Sequence, residues 1–244
     1  MWDYIIEHSL YLTYIFELLA ATAGVFYLVK RKKLEFAEKL LVAYLIFIFV
    51  FDLFGISFYL YGGFYDFKHV EFVKGTVFEN NSWLYNSLAI ITSSIYTLYF
   101  ALQLRSARIK RSLFYLIGLF VVTGIMSFFI SDNFFETTSS YVYIFGALMI
   151  SLSIGVYYIE LIKTDRILEF KKELAIFISI GLLVYKLSIT PLFIFTKYTQ
   201  VSDEFFLIFT WSIKIANIFM YSIFTYGFIR STYRVSTKSY NLPT

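Results

Sequence analysis

Cysteine is absent from these 244 residues, and only two histidines, two prolines and 11 glycines punctuate them. Without cysteine there is no disulfide, no thiolate nucleophile and no cysteine-ligated metal. The histidines, His8 and His69, lie far apart and outside the apolar stretches. A histidine-based metal site or a Ser–His–Asp set therefore has nothing to be built from. No HExxH and no phosphate-cradling glycine loop is present. Paired intramembrane aspartates are also lacking, since Asp52 alone among the aspartates falls within an apolar run. Enzymatic chemistry, a metal and a cofactor are accordingly not expected. A Glu/Lys acid–base pair within lipid is the one catalytic option the residues leave. Charge is scarce too, at 16% of residues against the usual quarter or so. A water-soluble domain of this length could not cover itself with so few polar groups.

What fills the chain is apolar and aromatic: 59% hydrophobic, with 30 Phe and 22 Tyr, and a mean hydropathy of +0.70. A hydrocarbon core of about 30 Å takes roughly 20 apolar residues per helix. Seven segments meet that length, near 9–29, 40–61, 82–104, 112–130, 139–162, 174–196 and 204–229. The expected architecture is an all-α membrane protein, one domain over 1–244, formed as a bundle of seven transmembrane helices. Connections are mostly short, so consecutive spans should be antiparallel neighbours. The longest, "GGFYDFKHVEFVKGTVFENN" at 62–81, mixes aromatics with charges and reads as a surface segment. The start, "MWDYIIEHS", has no basic stretch and does not read as a cleaved signal peptide.

Lysine and arginine set the direction. Loops 30–39, 105–111 and 163–173 and the tail from Arg230 hold sixteen of them, against three (Lys68, Lys74, Lys197) on the other side. Basic loops stay in the cytoplasm. The amino terminus is therefore expected outside and the carboxyl terminus inside, in the cytoplasmic membrane of a bacterium. The net charge of +4 is then a record of topology, not a nucleic-acid footprint. The basic loops should attract anionic lipid headgroups.

Four ionisable residues stand inside spans: Glu17, Asp52, Lys186 and Lys214. A charge at mid-bilayer costs at least ~2.5–3.5 kcal/mol. Counted from the outer end of each span, all four fall eight to ten residues in, about 12–15 Å deep. Two acids and two bases at one level on four helices read as a mutually compensating set, with Lys214 facing a carboxylate. Thr210, Lys214, Asn217 and Tyr221 repeat at four, three and four residues, one stripe on the seventh span. The first span has Thr13, Glu17, Ala20, Ala21 and Gly24 on one face. Pro191 should kink the sixth span near Lys186. Three accounts of the charges stand side by side: ion pairs that fix helix order, a ligand, ion or proton site, or a lysine that snorkels to an interface. Asn86 lies near the outer end of the third span and is a candidate vestibule residue. Glu160, beside Lys163, reads as an interfacial ion pair, and the remaining Phe and Tyr as packing or lipid-facing residues.

Seven spans, an outside amino terminus and a lysine midway along the last resemble the microbial rhodopsins, in which that lysine would carry retinal as a Schiff base. The likeness is topological: Thr210 stands where the family has an aspartate, and "WLYNSLAIITSSIYTLYF" has no charge. "WLYNSL", "SIGLLVYKLSITPLF" and "NIFMYSIFTYGFIRS" resemble small seven-helix membrane proteins of Bacteroidota whose function is unassigned. That resemblance implies a signalling or accessory role, with a signalling protein as partner. The family often has an acid midway along its third helix, where this chain has Thr92, Ser93 and Ser94. Two functions follow as expectations: a sensory or accessory module whose polar cluster binds a small ligand or proton, or a small-solute or proton-coupled transporter using the same residues. A parallel-repeat transporter would make Asp52 and Lys186 positional counterparts.

Overall fold

In lipid, a backbone segment must satisfy its own N–H and C=O groups, and an uninterrupted apolar run can do so only as a helix. The chain does this almost throughout. A computed structural model describes residues 2–7, 9–31, 34–131, 134–164, 174–198 and 203–240. His8, Lys32, Lys33, Arg166, Lys171 and Lys172, and the side chains of Lys197, Arg234 and Lys238, fall outside the description. The helices are α1 (Trp2–Glu7), α2 (Leu10–Lys30), α3 (Phe36–Tyr65), α4 (Ser82–Gln103), α5 (Ala107–Ser131), α6 (Ser140–Lys163), α7 (Leu174–Tyr198) and α8 (Asp203–Tyr240), with a 3-10 turn at Glu71–Val73. Six of them, all except α1 and α4, are long and apolar enough to cross a membrane. The expected third span is present as α4, at 22 residues. Its Asn, Ser, Thr and Tyr residues make it less apolar than the others.

Six helices close a ring in the order α2, α3, α4, α6, α7, α8 and back to α2, and α5 docks outside it across α4 and α6. Small residues set the closest approaches. A Cβ on Gly24 would come within 2.9 Å of Val42 on α3 and 3.4 Å of Phe228 on α8. One on Gly146 of α6 would sit 2.3 Å from Ser93 Oγ on α4. The main core draws on all six ring helices, with Leu41, Leu45, Tyr99, Phe100, Ile150, Leu182, Phe224 and Phe228 at or near zero exposure. The outside is the reverse of a soluble protein. Phe54, Phe129, Leu148, Leu187 and Ile215 are each more than three-fifths exposed, a girdle that suits lipid and not water.

Three polar clamps fix the ends. Glu35 and Glu38 form a reciprocal capping box at the start of α3, and Glu38 also binds Arg31 and Tyr27. Glu160 of α6 accepts the backbone N–H groups of Arg105 (2.6 Å) and Ser106 (3.2 Å) ahead of α5. It does not form the interfacial pair with Lys163 that sequence neighbourhood suggested. A carboxylate beside unpaired amides at a helix start gains more from them than from an exposed ammonium group. Segment 66–81 folds over one end, tied by Tyr59 Oη to Phe78 O (3.0 Å) and by Lys74 to Asp66. Helix α7 runs unbroken through Pro191.

Candidate functional site

The first and second spans bring two like charges together. Glu17 on α2 is 2% exposed, on the same face as Ala20, Ala21, Gly24 and Tyr27. Its carboxyl group lies within hydrogen-bonding reach of that of Asp52 on α3, and the hydroxyl of Tyr221 on α8 reaches it as well. One buried oxygen on each acid, Glu17 Oε2 and Asp52 Oδ1, has no N–H or hydroxyl donor, and the hydroxyl of Tyr14 beside them has no partner. Two carboxylates cannot hydrogen-bond each other without a proton between them. At an effective dielectric constant of about 20, two full charges about 4 Å apart repel by roughly 4 kcal/mol. A single shared proton removes that repulsion and supplies the missing donor.

A tyrosine shell surrounds the pair. Tyr14 on α2, Tyr44 on α3, Tyr85 on α4, Tyr143 on α6 and Tyr185 on α7 all lie within electrostatic reach of Asp52. With Tyr221, every helix of the ring contributes one. Only Tyr221 was in the sequence-derived candidate set. The others carry no signal in one sequence that separates them from packing tyrosines, apart from being Tyr where Phe would fill the same space.

The compensating set of opposite charges is not formed. Among the described residues the ion pairs within 4 Å are Arg31–Glu38 and Lys74–Asp66, and neither includes Glu17, Asp52, Lys186 or Lys214. Lys214 is 7% exposed, its Nζ 4.8 Å from the Trp211 ring centroid. Lys186 Nζ lies 5.6 Å from the ring of Tyr185. The reason is register. Glu17 meets Tyr221, and Gly24 meets Phe228, so α2 and α8 run parallel with a fixed offset. That offset sets Lys214 level with Leu10, about 10 Å from the acids along the axis. Gly181 packs on Phe224 and Gly227 on Phe177, which sets Lys186 level with Ile218 and Phe219, within one turn of the acids on the same side as Lys214. Helix α8 begins about three turns before the level at which α2 starts, so equal counts from the helix ends are not equal levels. At this separation Glu17 and Asp52 are not counterions for a Schiff base on Lys214.

The stripe on α8 does face inward: Lys214 and Tyr221 are buried, Thr210 and Asn217 half-buried. Asn86 is at zero exposure and fully committed to structure. Its amide donates to the carbonyls of Phe134 (3.0 Å) and Thr137 (2.9 Å) and accepts from Ser139 N–H (2.9 Å). It staples the turn before α6 and lines no vestibule, because it is fully buried and both its N–H groups and its oxygen are engaged by backbone.

No family model matches the chain, and neither a curated protein nor a solved structure matches it significantly. The functional reading therefore rests on the site's own chemistry.

Proposed function

We propose that this is a seven-span membrane protein, amino terminus outside and carboxyl terminus in the cytoplasm of a bacterial cell, that acts as a proton-responsive sensory or accessory module. Helix α4 counts as the seventh span on physical grounds: it is uncharged, and its polar side chains are covered by α3, α5 and α6 rather than by lipid. The sixteen-to-three distribution of lysine and arginine supports the orientation. One observation carries the function: the carboxyl groups of buried Glu17 and half-buried Asp52 lie side by side, each with a buried oxygen that has no donor. Gain or loss of that proton changes how three helices are held together. Such a change can be passed to a signalling partner at the basic loops, which also hold anionic headgroups.

The test is infrared spectroscopy of the protein reconstituted in liposomes. A protonated-carboxyl C=O band is expected that disappears on titration and is lost or shifted in Glu17→Gln and Asp52→Asn. A spectrum without such a band at any pH would refute the reading. Proton-coupled transport is the second reading, favoured by polar residues on both sides of the pair: Lys186 and Asn217 beyond it, Tyr44 and Thr92 below. Proton or solute flux into the same liposomes, abolished by Asp52→Asn, would decide for the transporter.

A further inference from the structure

We infer that the proton held by Glu17 and Asp52 exchanges with the side of the membrane on which Glu38 lies, through a column of buried hydroxyls along α4. This rests on the proton reading of the acid pair and names its route.

The column begins at the acids. Tyr44 is within electrostatic reach of both Asp52 and Glu17, and its hydroxyl bonds Thr92 Oγ1 at 2.7 Å. Tyr96 packs edge-on against Tyr44, ring centroids 5.2 Å apart, and is within reach of Tyr44 and Glu17. Three residues on, along the same face of α4, comes Tyr99, at zero exposure with a hydroxyl that has no partner. Tyr99 is in turn within reach of Tyr27 and Glu38, and Tyr27 donates to Glu38 at 2.5 Å. From Asp52 to Glu38 is fourteen residues of α3, about 21 Å. Buried hydroxyls without partners are rare and costly. One of them at Tyr99, on the same face of α4 as Thr92 and Tyr96 and between the acid pair and Glu38, continues a polar track through an otherwise apolar core. Each hydroxyl can accept a proton while giving up its own, directly or through a bridging water. The net step moves one proton from the acid pair to the Glu38 carboxylate and changes no heavy-atom bond. Glu38 is 6% exposed, but its partner Arg31 reaches solvent, so the carboxyl can release the proton there.

The opposite direction is less favourable. Lys186 and Lys214 lie within one turn and two turns of the acids on the other side, and positive charge in a low-dielectric path repels a proton. The groups facing the acid pair are Tyr14, Tyr44, Tyr85, Tyr143, Tyr185 and Tyr221. Those facing Glu38 are Tyr27, Arg31, Tyr99 and its own neighbour Glu35. The one further acid among them, Glu35, lies beside Glu38 at the same end of α3 and so offers an exit to the same side.

The experiment follows the carboxyl C=O band after a pH jump applied to one face of sealed membrane vesicles of each orientation. The band should respond first when the jump is on the Glu38 face. Glu38→Gln and Tyr99→Phe should each slow that response by about tenfold, with equilibrium amplitude and titration midpoint kept. Tyr99→Phe removes only a hydroxyl with no partner, so it keeps the test valid if Glu38→Gln fails to fold. Unchanged rates in Tyr99→Phe, or a response that follows the opposite face, overturn the route and leave the acid pair standing. Absence of the band in the wild-type protein overturns both.

Discussion

At the scale of single residues, charge type was legible and partnership was not. Glu17, Asp52, Lys186 and Lys214 could be picked out because ionisable groups in apolar runs are rare. Their pairing required helix phase and register, which no span boundary supplies. Acid met acid, and the lysines settled over aromatic faces. This makes a sharp mutational contrast. Glu17→Gln should be tolerated within about 1 kcal/mol, since the amide N–H takes the place of the shared proton toward Asp52. Glu17→Ala should cost roughly 3–5 kcal/mol or prevent expression, because it opens a void and strands a buried acid. Tyr221→Phe should cost about 1–2 kcal/mol through the lost donor. Thermal unfolding in one detergent ranks the three. Lys214→Met should be no better tolerated with Asp52→Asn than without it; a rescue would restore the opposite-charge pairing that the register denies.

Elements were read more fully. All seven predicted segments are helical, and the Glu17, Ala20, Ala21, Gly24 face of α2 is buried as its spacing implied. What the sequence could not say was how far each helix projects. Helix α8 spans 38 residues, far more than a bilayer needs, so equal counts from the ends did not mean equal depths. Glycine positions show the same limit. Gly146 and Gly155 share α6, yet a Cβ at Gly146 meets Ser93 at 2.3 Å and one at Gly155 meets nothing within 4 Å. Gly155→Ala should therefore stabilise by roughly 0.5–1 kcal/mol through helix propensity. Gly146→Ala should destabilise by about 1–3 kcal/mol by forcing α4 from α6. Adding Ser93→Gly should recover part of that loss. Equal effects at the two glycines, measured by unfolding midpoint, would mean that α4 and α6 are not packed this closely.

For the whole molecule, the ring of six helices with α5 outside follows from which helices have small or polar faces on two sides. Helix α4 has such faces throughout and is enclosed. Helix α5 shows Phe129 and Ile130 about four-fifths exposed and is peripheral. Orientation is a separate property, set by basic loops during insertion, and it decides what the acid pair can sense. The absence of cysteine gives a clean background for testing it. Lys74→Cys, which gives up the exposed pair with Asp66, and Arg108→Cys, in the first turn of α5, are expected on opposite sides of the membrane, each with a stability effect within about 1 kcal/mol. A membrane-impermeant maleimide should label Lys74→Cys on intact cells and Arg108→Cys only after permeabilisation. The reverse pattern would invert the molecule and put Arg31 and Glu38 outside, so that the proposed proton route would open to the exterior. Equal labelling of both on intact cells would mean two orientations in one membrane, against the bias of sixteen to three, and would overturn the single orientation proposed.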